Sequence, residues 1–278
     1  MTRSSLLYIS AALTLSFVSP PAIVEYPLPR PKAFPHDPAV GADGIVWYTD
    51  QANSYIGRLD PATGKVSDYA TPTPTSGPHG IVVAPDGGVW YTGNFTARLG
   101  RLDPATGAIK EFPLPSEARD PHTPLYHAGK VWFTAQGANL YGVLDPATGA
   151  AKLYPVPTRG ARPRRLIVDA KGIVWYSDYA RGHLGRLDPA TGQVREYACP
   201  GGDGSRPYGI AIGTDGRIWY DESGTDELVA FDPTTERAET VKIPTPGSVV
   251  RNMAVDSTRA RLWLALSGVQ KLGRVDLR

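Results

Sequence analysis

The sequence predicts an all-β fold, a six-bladed β-propeller of four-stranded antiparallel blades, from three observations. The six tryptophans, Trp47, Trp90, Trp132, Trp175, Trp219 and Trp263, are spaced by 43, 42, 43, 44 and 44 residues, so one unit recurs six times. Thirty glycines and 27 prolines make up about a fifth of the 278 residues, as many turns between short strands require. No helical period appears anywhere in the chain. A hydrophobic content of 41% is enough to bury a core and excludes a disordered chain. The single cysteine, Cys199, excludes a disulfide framework or a Cys-rich zinc module. A formal charge of +2 without a long basic block gives no nucleic-acid partner.

The elements follow in chain order. Arg3 precedes an apolar run from Leu6 to Val18, 13 residues long. That is too short for a bilayer, which needs about 20, and it fits the apolar core of a secretory signal peptide over residues 1–22. The chain is therefore expected to be exported, periplasmic or secreted, although Pro20 is an unfavourable residue before a cut at Ala22. No other segment is long and apolar enough to cross a membrane. The propeller is expected over residues 23–278, as one domain.

Residues 77–115 show the unit best, with strands expected at Gly80–Ala84, Val89–Gly93, Arg98–Leu102 and Ala108–Pro113. Asp86-Gly87, like Asp43-Gly44 and Asp215-Gly216, suits a tight hairpin because glycine accepts positive φ. Asp-Pro-Ala-Thr-Gly recurs at 60–64, 103–107, 145–149 and 188–192, where proline presets φ and glycine closes the turn. The sixth unit lacks its outer strand, because the chain stops at Lys271–Arg278, and the missing strand stands at the other end as Val24–Pro29. The N-terminal strand is expected to complete the last blade and leave no open edge.

Residues common to all units have a packing role, and each Trp is expected to fill the space between neighbouring blades. Function is sought where equivalent positions differ. At the start of the first strands stand His36, His79, His122, Arg164, Tyr208 and Arg251, one ring around the channel. His127 joins them if it turns inward, and His183 is expected in a solvated loop. Three places after the Trp come Asp50, Asp178 and Glu222 in blades 1, 4 and 5, and Gln136 stands four places after Trp132. Imidazoles act as bases, acids or metal ligands near neutral pH. A structural role for the Pro-His turns and a three-histidine metal site are both open at this point. So are an anion-attracting role and plain solvation for Arg159, Arg162, Arg164 and Arg165.

The repeated Pro-His-Gly-Ile, the Asp-Gly before Val-Trp-Tyr-Thr, the Leu-Gly-Arg-Leu-Asp-Pro-Ala-Thr-Gly and the closing Glu-Phe-Pro-Leu-Pro resemble the virginiamycin B lyase (streptogramin lyase) family over all six units. The resemblance implies elimination across a cyclic ester, with Mg2+ as cofactor stabilising enolate-like charge. Active members of that family are seven-bladed, so this chain is one blade short. The family uses a His in the penultimate blade, a Glu-Pro-His turn in the last, and a Glu four residues after the last Trp. Here Tyr208, Val249-Val250-Arg251 and Ser267 stand at those places. A rotated version of the pattern runs through blades 2 and 3, with His79 or His122 as catalytic base, Asp120 as orienter or metal ligand, and Gln136 unable to exchange a proton.

The expected function is that of an exported propeller binding a small molecule, such as a cyclic ester or lactone, at the mouth of the central funnel. His36, Gln136, Arg164, Tyr208, Arg251, Asp50, Asp178 and Glu222 are the candidate ligand-binding residues. The alternatives are an active C–O lyase, or a lactone hydrolase, using the His79/Asp120/His122 sector, and a protein-interaction propeller. A monomer is expected.

Overall fold

The structure, a computed structural model, describes residues 21–155, 165, 167–188 and 190–277. The expected signal peptide thus lies almost wholly outside the described residues, as does Arg164. Six four-stranded antiparallel sheets form the ring, each numbered outward from the channel. Blade 1 runs Pro35–Val40, Val46–Asp50, Tyr55–Asp60 and Lys65–Ala70. In blade 2 the strands are Pro78–Val83, Val89–Gly93, Arg98–Leu102 and Ile109–Pro113, within two residues of expectation at every end. The inner strands of blades 3, 5 and 6 are Pro121–His127, Pro207–Ile212 and Val250–Asp256, and that of blade 4 is, among the described residues, Ile167–Val168.

The ring closes as the sequence expects. Ile23–Pro27 lies antiparallel on Lys271–Asp276, with Ile23 opposite Val275 and Pro27 opposite Lys271. Glu25 fixes this register, accepting from Lys271 Nζ at 2.6 Å and from the Thr245 hydroxyl at 2.6 Å. The tight turns carry positive φ at Gly44, Gly87 and Gly216. In each Asp-Pro turn the aspartate accepts a backbone N–H two residues on, as Asp103 does from Ala105 at 2.9 Å.

Trp47, Trp90, Trp175, Trp219 and Trp263 are buried, while Trp132 is half-buried and stacks on Tyr154. An aromatic side chain removes roughly 150–250 Å² from water, on the order of 4–6 kcal/mol apiece. In blades 1–4 the residue after the Trp explains the glycine of the third strand. Tyr48, Tyr91, Phe133 and Tyr176 lie across Gly57, Gly100, Gly142 and Gly185, and a Cβ on Gly100 would fall 2.0 Å from Tyr91 Cζ. Glycine weakens a strand interior, but here only a bare backbone admits the ring.

His127 is exposed at the far end of its strand, paired with Lys130, so it does not turn into the channel. His183 begins a third strand rather than sitting in a loop, and its Nδ1 lies 2.6 Å from the Arg181 carbonyl. Among the described residues no helix is long and apolar enough to cross a membrane.

Candidate functional site

The channel-facing side chains are aimed by a defect repeated in the inner strands. Pro35 faces Asp50 and Pro38 faces Tyr48, so His36 and Asp37 share the single partner Thr49. The same bulge recurs in blades 2, 3, 5 and 6. Two residues opposing one bend the strand and redirect its side chains. In blades 1 and 2 a hydroxyl holds the bulge to the next blade. Asp37 N–H donates to Thr49 Oγ1 at 3.0 Å, and that hydroxyl donates to the His79 carbonyl at 2.7 Å. Gly80 N–H, Thr92 and the His122 carbonyl repeat the link at 2.9 and 2.9 Å. In blade 5 the hydroxyl is replaced by Asp221, whose Oδ1 accepts the Gly209 N–H at 2.5 Å. Burial without a cation pushes the Asp221 carboxyl up to about 7.

The bulges bring the three ring histidines of blades 1–3 into one stack. The centroids of His36 and His79 are 3.9 Å apart, and those of His79 and His122 are 3.8 Å apart, with the rings tilted by 44° and 46°. All three are buried. Burial lowers the pKa of His36 despite its bond to Asp37, and burial and then the neighbouring His36 lower that of His79 well below the ordinary histidine value. At neutral pH these two rings are neutral, the form that accepts a proton or ligates a metal.

The carboxylate beside the stack is Asp37. It lies 2.8 Å from His36 Nδ1, accepts from Arg165 Nη2 at 2.6 Å and accepts from Asn252 Nδ2 at 3.1 Å. Burial alone would raise its pKa, but Arg165 and His36 hold it far below the usual carboxylate range. Asp37 belongs to blade 1 and Arg165 to blade 4, opposite each other in a ring of six, so this ion pair spans the channel. The Tyr208 ring lies 5.8 Å from the Arg165 guanidinium and 6.3 Å from the Tyr179 ring. Arg251 lies 5.8 Å over Phe34.

The other expected site residues fall elsewhere. Asp50 accepts the Phe34 N–H at 3.1 Å and Asn53 Nδ2 at 2.8 Å. Asp178 accepts from Arg181 N and Nε at 3.1 and 2.6 Å, and Glu222 accepts the Gly201 N–H at 2.9 Å. All three carboxylates brace the loops around them. Asp120 adopts φ +58°, and its carboxylate accepts from Asn94 Nδ2. Gln136 is buried, and its backbone N–H donates to the Asp120 carbonyl at 3.0 Å. Sequence reasoning missed Asp37, Arg165 and Asn252 as a group. The signal was one place beyond the ring already aligned, where Asp37, Gly80, Thr123, Arg165, Gly209 and Asn252 put one acid and one base on opposite blades.

Magnesium binds oxygen, chiefly carboxylates and water. The places matching the family's catalytic set hold a phenol at Tyr208, a guanidinium at Arg251, and the Ser267 hydroxyl, which donates to the Pro35 carbonyl. With no carboxylate among them, those residues do not fit magnesium.

The virginiamycin B lyase family model matches residues 18–169 and 125–278. The chain is similar to selenomethionine-substituted virginiamycin B lyase from Staphylococcus aureus, with 26% identity and a TM-score of 0.59, covering 92% of this chain and 85% of that one. It is also similar to a streptogramin B lyase structure, with 24% identity and a TM-score of 0.57, covering 93% of this chain and 98% of that one. A putative gluconolactonase shares the fold at 15% identity and a TM-score of 0.63, covering 92% of this chain and 93% of that one. No curated protein matches the chain. Matched along its blades by the family model and carrying the family's repeat in each of them, the chain belongs to the virginiamycin B lyase family.

Proposed function

We propose that the chain binds a small molecule at the mouth of its central channel without the lyase chemistry of its relatives. The observation that carries this reading is the chemistry at Tyr208, Arg251 and Ser267. None is the His or Glu of the family's pattern, and Ser267 is committed to the Pro35 carbonyl. Phe34, Arg251, Tyr208 and the half-exposed Tyr179 offer flat apolar rings and cationic donors together. That combination suits a compact ring bearing carbonyl acceptors, such as a cyclic ester or lactone. Residues 1–22 direct export, and the exported protein is expected to begin at Ile23, which N-terminal sequencing checks.

A second reading, elimination or lactone hydrolysis at His79 and His122, is favoured by the packed, buried imidazoles of blades 2 and 3. Mass spectrometry separates the two. The protein is incubated with quinupristin, the compound in a solved complex of a catalytically inactive S. aureus lyase, and with a lactone panel. Binding without product is expected, seen as a rise in melting temperature with unchanged compound. A ring-opened product of unchanged mass means elimination, and one heavier by a water means hydrolysis. Either product, lost on His122→Ala substitution, overturns the binding-only reading.

A further inference from the structure

We propose that His36, Asp37 and His79 form a binding site for a divalent transition metal of the zinc class. Each offers one ligand atom, and these atoms all lie within 4.8 Å of one another. The three residues are buried at 4%, 2% and 5% exposure, so a bound ion would be shielded from water on most sides. His79 supplies an independent sign. Its Nδ1 is buried and has no hydrogen-bond partner among the described residues, a state that costs free energy unless something occupies it. The donor set selects the metal. Two imidazole nitrogens and one carboxylate oxygen suit zinc, copper or nickel, whereas magnesium and calcium take oxygen.

The fit needs a small contraction. Bonds of about 2.0–2.1 Å in a tetrahedral site set ligand atoms roughly 3.3 Å apart, so the side chains close by at most about 1.5 Å. Arg165 opposes binding, since its guanidinium already holds Asp37 Oδ1 at 2.6 Å and repels a cation. The site is therefore of moderate affinity, and Arg165 sets it. This inference concerns blades 1 and 2 only and stands whether or not the chain turns over a substrate.

The full chain, without an affinity tag, is stripped with a chelator, loaded with zinc and desalted, and retained metal is counted by elemental analysis. One zinc per chain is expected. His79→Gln and His36→Gln are each expected to weaken zinc binding at least about 100-fold, more than the loss of an outer partner costs. Arg165→Met is expected to tighten it, which a merely structural role for these residues does not predict. His127→Ala combined with His183→Ala should leave binding unchanged. Cobalt substitution in the unaltered protein guards against variants that fail to fold, since d–d absorption of four- or five-coordinate cobalt is expected from the native chain. Zinc-free wild type after loading overturns the proposal, as does wild-type affinity in both glutamine variants or loss of binding in the His127/His183 variant.

Discussion

Replacing Asp37 by Asn tests whether the channel is held by the ion pair that crosses it. The Asp37 and Arg165 side chains are 3% and 10% exposed, so water screens their attraction little. Asn keeps the shape and one acceptor but leaves the guanidinium uncompensated in a buried place. Removing one partner of such a pair costs about 3–5 kcal/mol, and the residual acceptor puts Asp37→Asn near the lower figure. At about 2 °C per kcal/mol for a domain of this size, the melting temperature should fall by about 6 °C. Arg165→Met should cost a similar amount by stranding the carboxylate. The double variant removes both charges, so its loss should fall short of the sum by at least about 2 kcal/mol. Calorimetry or denaturant unfolding of the four proteins, at one pH and without added metal, gives the cycle directly. Single losses below about 1 kcal/mol, the size expected of an exposed pair, would refute the reasoning. So would strict additivity.

Gly100→Ala should destabilise blade 2 by several kcal/mol, because its Cβ would meet the buried Tyr91 ring at 2.0 Å and overpacking of this severity costs about 1–3 kcal/mol or more. Denaturant unfolding reads it, and Gly64→Ala, at an open turn with φ +73°, is expected to cost less. Asp221→Asn should stabilise the protein at pH 8 by a few kcal/mol and have little effect at pH 4. The folded carboxyl, raised to about 7 by burial, holds its proton while the unfolded one loses it near pH 4. Wild-type stability from this group therefore falls as pH rises from about 4 to about 7, then levels off. A wild-type-minus-variant stability difference that is flat across this window would show that Asp221 is not protonated in the fold.

The sequence by itself determined the architecture. Trp spacing set six units, the Asp-Gly and Asp-Pro turns placed strand ends within a blade, and one outer strand missing at Arg278 and present at Val24 announced the closure. These features are local or periodic, so one blade's turns and packing repeat in the next. The same periodicity put His36, His79 and His122 on one ring. It could not say which carboxylate joins them. Asp120, next but one to His122, looked the better candidate by spacing, but its left-handed backbone sends the carboxylate to Asn94. Asp50, Asp178 and Glu222 looked like channel groups by position, yet nearby N–H groups bind them first. Only the tertiary structure decided that Asp37 meets Arg165, 128 residues away, across the channel. The bulge that re-aims Asp37 depends on a hydroxyl bond to the neighbouring blade, and the pairing of opposite blades exists only once the ring has closed.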